Sequence, residues 1–183
     1  QYRMAQRIQA FPSAEFYDGA LRPATGAVAA RSLADLDGVD PDALPPALRG
    51  AVSFVDPDGE RTGNTNPIEA DRVAAVVEAH LDAGVAPSDV GVIAPFRAQV
   101  AEIDRRVPAG VTVDTVDRFQ GSSEEVIVVS FVATGALDGP IFVDTRRVNV
   151  ALTRARRPLA LVGDAEALGS EPFYARMRDW ARR

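Results

Sequence analysis

Cysteine and lysine are missing altogether from these 183 residues, and histidine occurs once, at position 80. Without thiols the chain has neither a disulfide framework nor a thiolate metal site, and one imidazole is too few for a histidine zinc centre. The missing lysine removes the phosphate loop GxxxxGK[ST], so no primary triphosphate cradle is expected within this chain. There is no run of about 18 apolar residues, and the first 30 positions carry no basic-then-apolar leader pattern. The expectation is a soluble, cytoplasmic protein with no membrane partner and no resident metal ligands.

What is present is ordinary globular composition, 46% hydrophobic and 25% charged, enough for one well-buried core over residues 1–183. The net charge of -6 and a pI near 4.8 argue against a bulk nucleic-acid binder. Averages hide segregation, however. All 20 basic residues are arginine; seven acids between Asp35 and Glu60 face only Arg49, whereas five arginines between Asp144 and Arg157 face only Asp144. A two-toned surface follows. Base composition or salt adaptation accounts for the preference for arginine, which also concentrates planar, bidentate phosphate binders.

Residues 22–60 are rich in Gly, Pro, Asp and Ala and read as an acidic, irregular excursion that ends in the strand AVSFV, 51–55. Asn66-Pro67 is an N-cap followed by proline at the first helical position, and Ile68, Val73, Val76, Val77 and Leu81 keep helical spacing until Gly84. The runs VGVIA (90–94), VTV (111–113), EVIVVSFVA (125–133) and LALVG (159–163) read as strands, with helices predicted from Arg97 to about Arg106 and from Thr145 to Arg156. PFYARMRDWARR closes the chain as an amphipathic helix with Phe173, Met177 and Trp180 inward, and His80 is expected at the surface of its helix. Nearly unbroken β-branched runs mark strands covered on both faces. Strands alternating with helices give a three-layer α/β/α sandwich around a mainly parallel sheet, whose ligand sites gather where strands meet loops.

The segment VNVALTRARR (148–157) is on periodicity alone a solvated basic helix face. It also resembles motif VI of the superfamily 1B helicases, the branch of the nonsense-mediated-decay RNA helicase, the senataxin-type helicases and the replication nuclease-helicases. The resemblance is collinear and nearly end to end. QYRMAQRIQAFPSAEFYDGAL (1–21) and NTNPIEADRV (64–73) look like segments of that branch, VGVIAPFRAQV (90–100) like motif IV, and VDTVDRFQGSSEEVIVVS (113–130) like motif V. It implies the second, C-terminal RecA-like domain of an ATP-dependent motor. The phosphate loop and magnesium-binding acids then lie on a first domain preceding Gln1.

Site residues follow from the same resemblance. Arg3 and Arg154 look like the two arginines that reach the γ-phosphate of ATP and stabilise transition-state charge; a surface ion pair is the plainer reading of Arg3. Tyr2 looks like the residue that stacks on adenine, with a core tyrosine as the alternative, and Gln1 stands beside it. Gln120 and Gly121 of motif V belong to the same nucleotide contact. The family's ribose-contacting glutamate is replaced by Ser123, so either Ser123 or Glu124 takes that place. Pro95, Phe96 and Arg97 of motif IV and Thr115, Val116 and Asp117 of motif V are implied to grip single-stranded DNA or RNA; Phe96 equally suits a core position. The cofactors implied are ATP and Mg2+, the latter held mainly by the other domain, and the partner is the N-terminal RecA-like domain. A 5′-to-3′ helicase motor, inactive as an ATPase in isolation, is the expectation. A non-catalytic interaction module derived from a helicase is the alternative.

Overall fold

Val126, Ile127, Val128, Val129 and Ser130 are all fully buried, so the strand that they form is covered on both faces. In the computed structural model of the chain, which describes residues 1–57, 59–119 and 123–183, this strand is the central one of five. The strands in chain order are β1 (Val52–Val55), β2 (Val90–Ala94), β3 (Thr112–Thr115), β4 (Val126–Ser130) and β5 (Leu159–Val162). They lie side by side as β1-β5-β4-β2-β3 and pair in parallel throughout, with Val128 opposite Val92 on one side and Ala160 on the other. Parallel neighbours need crossovers, which the helices supply. These are α1 (Gln6–Phe16), α2 (Gly26–Ala29), α3 (Pro67–Asp82), α4 (Arg97–Asp104), α5 (Pro140–Val143), α6 (Thr145–Leu152), α7 (Ala165–Gly169) and α8 (Pro172–Ala181).

Strand alternation divides the interior in two. Ile127, Val129, Leu159 and Leu161 meet Ile8 and Phe11 of α1, Leu152 of α6, and Met177 and Trp180 of α8. Val126, Val128, Ala160 and Val162 meet Val73, Val76 and Val77 of α3 and Ile103 of α4. The architecture is thus a three-layer α/β/α sandwich of the RecA-like type, with its sheet wholly parallel. Among the described residues no helix is long and apolar enough to cross a membrane.

The excursion before β1 is packed rather than loose. It consists of α2 and three 3-10 turns, Leu33–Asp35, Pro41–Ala43 and Pro46–Leu48, whose Leu33, Leu44 and Leu48 sink into the second core. Its tip presses on the end of α3. A Cβ at Gly84, where φ is +102°, would stand 2.3 Å from the Gly38 carbonyl oxygen.

Two expectations need correction. His80 is not at the surface: it is 1% exposed, its Nδ1 lies 2.8 Å from the Val76 oxygen, and burial lowers its pKa. Position 80 falls on the buried stripe with Val73, Val76 and Val77, so helical geometry overrides its polarity. The helix expected to reach Arg156 ends at Leu152. The Thr153 hydroxyl turns back to the Asn149 and Val150 oxygens, at 2.8 and 3.2 Å, and Ala155 then bridges to Glu124 as extended chain leading to β5.

A buried polar knot lies behind the sheet's carboxyl edge. Asn66 Oδ1 caps α3 by accepting from Glu69 N at 2.9 Å, while Gln99 Oε1 accepts from Asn66 N at 2.8 Å. The Glu69 carboxylate accepts from Ser130 Oγ at 2.5 Å and from Val132 N at 2.8 Å. Val132 is held at φ +51°, a conformation that β-branched residues avoid, so the Glu69 contact fixes the turn leaving β4. Burial pushes the Glu69 pKa up to about 7.

Candidate functional site

The predicted site residues that lie in the described parts of the chain fall into two clusters at opposite ends of the strands. The first gathers around Gln1–Met4. The Gln1 side chain folds under its own backbone: Oε1 accepts from Arg3 N and Met4 N, both at 2.8 Å, and Nε2 donates to the Met4 oxygen and to Gln9 Oε1. Met4 is buried, and Ala5 N donates to the Arg156 oxygen at 3.0 Å. This turn is therefore pinned to the loop preceding β5. Tyr2, at its apex, is 78% exposed, which rules out the core-tyrosine reading.

Arg3 reaches from the turn to donate through Nη1 to the Thr153 oxygen at 3.1 Å, while Arg154 Nε donates to the Val150 oxygen at 3.1 Å. The two guanidiniums stand close enough to interact: burial and then the neighbouring Arg3 charge lower the Arg154 pKa. Arg156 follows, with its Nε on Ser123 Oγ at 3.2 Å. Gln1, Tyr2, Arg3, Met4, Arg31, Ser123 and Arg156 line one cavity of about 530 Å³. Three arginines converge on this space, and its lining includes no carboxylate. Arginines crowded in this way favour an anion. The residues present thus fit a nucleotide polyphosphate beside an exposed aromatic face, and the lining includes no carboxylate for Mg2+.

Ser123, not the glutamate after it, lines this cavity. Glu124 is tied by its backbone, N to the Arg154 oxygen at 3.2 Å and oxygen from Arg156 N at 3.0 Å, and its side chain packs back on Gly91. A Cβ at position 91 would stand 2.9 Å from Glu124 Cγ, Ile127 Cδ1 and Phe119 Cε1. Burial and then Asp89 raise the Glu124 pKa. Gln120 and Gly121 lie outside the described residues.

The second cluster forms at the carboxyl ends of β2 and β3. Pro95, Phe96, Arg97, Thr115, Val116 and Asp117, all six expected there, line a single groove of about 470 Å³ together with Asn64, Arg118 and Arg147. The Val116 side chain is 4% exposed and belongs to the core, so it meets the groove only at its edge. Phe96 is half-buried, with the Arg61 guanidinium 5.9 Å from its ring centroid and Gly139 packed closely against the ring. Arg147 Nη1 donates to Asp117 Oδ2 at 2.9 Å. Exposed arginines beside an aromatic ring and a threonine suit a phosphate backbone with bases stacked along it.

Helix α6 connects the clusters: Arg147 near its start lines the groove, and Arg154 and Arg156 follow its end. Arg31, Asn64, Arg118 and Arg147 were not singled out from the sequence. For Arg147 the five-arginine stretch was the available signal, whereas Arg31 sits in the irregular excursion and carried none.

Residues 1–166 match the family described as "AAA domain". An ATP-dependent helicase of Methanocaldococcus jannaschii is 35% identical over 197 residues, covering 100% of this chain and 28% of its own length. The DNA-binding protein SMUBP-2 of Rattus norvegicus is 33% identical over 98% of the chain and 19% of its own length, and a regulator of nonsense transcripts 1 homolog of Arabidopsis thaliana is 32% identical over 95% and 15%. The chain thus spans well under a third of these relatives. Among solved structures, the C-terminal domain of a possible DNA helicase from Lactobacillus plantarum WCFS1 superposes with a TM-score of 0.56 over 96% of this chain and 93% of that one, at 13% identity, a likeness of fold. By its match over residues 1–166 and by these relatives, the chain belongs to the AAA domain family of the superfamily 1 helicases.

Proposed function

We propose that residues 1–183 are the second RecA-like domain of an ATP-dependent, 5′-to-3′ helicase and complete a nucleotide site whose phosphate loop and magnesium ligands lie on a preceding domain. The observation that carries this reading is the convergence of Arg3, Arg31 and Arg156 beside an exposed Tyr2 on one cavity lined by no carboxylate, with Arg154 near enough to Arg3 to feel its charge. Relatives named as ATP-dependent helicases support it.

Tyr2 offers its π face to the adenine, and Gln1 holds the turn that presents it. Ser123, with Arg156, faces the sugar in place of the usual glutamate, and the backbone of Glu124 adjoins it; the resemblance assigns Gln120 and Gly121 to the same nucleotide contact. ATP supplies the γ-phosphoryl group that is transferred to water. Closure of the two domains brings Arg3 and Arg154 onto the charge that develops there, an effect of about three to five decades in rate. Pro95, Phe96, Arg97, Thr115, Val116 and Asp117 grip one strand of DNA or RNA by its backbone. Because α6 joins groove to cavity, closure at one end shifts the grip at the other, and alternating grip becomes translocation.

Purified residues 1–183 should hydrolyse no ATP with Mg2+ present, whereas the whole protein should do so with stimulation by single-stranded DNA or RNA. Hydrolysis by the isolated chain at a rate matching the whole protein would overturn this division of labour.

A further inference from the structure

Arg31 does more than line the nucleotide-facing cavity: its Nη1 donates to the Tyr2 oxygen at 3.0 Å and to the Arg3 oxygen at 2.6 Å. These are the carbonyls of the residue proposed to stack on adenine and of one of the two arginines proposed to act on the phosphate. Seven positions earlier in the same excursion, Ala24 N donates to the Gln1 oxygen at 2.8 Å. The carbonyls of Gln1, Tyr2 and Arg3 are thus all held by residues 24–31, a stretch with the composition of a connecting loop. The excursion is itself anchored. Thr25 caps α2 by accepting from Val28 N at 3.2 Å, Val28 and Leu33 are buried, and Arg157 Nε donates to the Ser32 oxygen at 2.8 Å.

We infer that Arg31 is a positioning residue for the nucleotide site, one that sets the height of the Tyr2 ring and the reach of Arg3. The inference rests on the function proposed above and deepens it. The physical reason is that Tyr2 projects from an apex with little packing of its own, so its backbone must be fixed by hydrogen bonds. A cation bonded to two successive carbonyls restrains both the ring on one side of the turn and the guanidinium on the other. Arginine suits the task because its planar fork offers several donors in a fixed geometry, whereas an ammonium on a flexible stem orders its partners less. A second consequence concerns charge: with Arg3, Arg154 and Arg156, Arg31 raises the positive potential around the cavity and favours an anionic ligand there.

Three variants of the whole protein, Arg31→Ala, Arg31→Lys and Arg49→Ala, test this. Arg49 is the control: it braces the same excursion by donating to the Leu44 and Asp42 oxygens and does not line the cavity at Gln1–Met4. Two readouts are taken, amide hydrogen exchange at Arg3 and Met4 and binding of a fluorescent ATP analogue, followed by steady-state ATPase. Arg31→Ala should speed exchange at those amides, weaken analogue binding about tenfold and lower kcat/KM by more than tenfold, with kcat and KM both affected. Arg31→Lys should recover part of the loss, and Arg49→Ala should leave all three quantities unchanged. Equal losses in Arg31→Ala and Arg49→Ala would reduce Arg31 to general stabilisation of the excursion and overturn the inference. Unchanged exchange and binding in Arg31→Ala would overturn it as well. Arg154→Ala in the same ATPase assay separates the two claims: if it retains full kcat, the helicase reading itself has failed, and if it is inactive while Arg31→Ala is normal, only the role of Arg31 has.

Discussion

Replacing Glu69 by glutamine should make the chain's stability less sensitive to pH. The carboxyl is fully buried, Oε1 accepts from Ser130 Oγ and Val132 N, and Oε2 has no hydrogen-bond partner among the described residues. Burial outweighs the stabilising hydrogen bonds, and Asp164 adds a smaller effect of the same sign as burial, so the pKa rises from 4.5 to about 7. A carboxyl whose folded pKa exceeds its unfolded value contributes fully at low pH. Its contribution falls as pH climbs from the unfolded value towards the folded one, because the unfolded chain releases the proton first. A rise from 4.5 to about 7 is worth about 3 kcal/mol at roughly 1.4 kcal/mol per pH unit. Glutamine preserves the accepting oxygen and removes the titration. Urea unfolding at pH 5 and pH 8 should therefore show the difference in stability between Glu69→Gln and the unaltered chain shifting in the variant's favour by about 2 kcal/mol. His80, buried with a lowered pKa, titrates with the opposite sign, but its effect cancels in this difference. A difference that stays constant between the two pH values would refute the reasoning.

At position 91 a methyl group would collide with three side-chain atoms at 2.9 Å, so Gly91→Ala should cost about 1 to 3 kcal/mol in the same unfolding assay. In the groove, Phe96→Ala should weaken single-strand binding about tenfold irrespective of sequence, measured by fluorescence anisotropy. Arg147→Ala should weaken it uniformly and reduce the slope of log affinity against log salt by about one.

Much of the fold could be read from the sequence because its signals were local. The continuous apolar runs at 90–94, 125–133 and 159–163 correspond to β2, β4 and β5 because those strands are covered on both faces, and Asn66-Pro67 opens α3 as its cap chemistry requires. The errors arose where tertiary contacts decide. Helix α1 carries Pro12 in its interior, which conceals it from propensity. Helix α6 stops short because Ala155 pairs with Glu124, 31 positions away, an interaction that no local pattern contains. The six motif residues expected to bind nucleic acid line one groove, because the carboxyl ends of the neighbouring strands β2 and β3 and the loops leaving them carry them. That Ser123 and not Glu124 lines the cavity depends on the backbone pairing of Glu124 with Arg154 and Arg156, and the hydrogen bonds from Arg31 to the Tyr2 and Arg3 oxygens depend on where an irregular segment returns.

The central claim is that Arg3 and Arg154 act together on a triphosphate held by another domain. The most direct test is steady-state ATP hydrolysis by the whole protein with Arg3→Ala, Arg154→Ala and both, in the presence of single-stranded nucleic acid. Each single variant should lose about three decades in kcat with a smaller change in KM, and the double variant should lose far less than the product of the two. Near-normal kcat in either single variant would contradict the account.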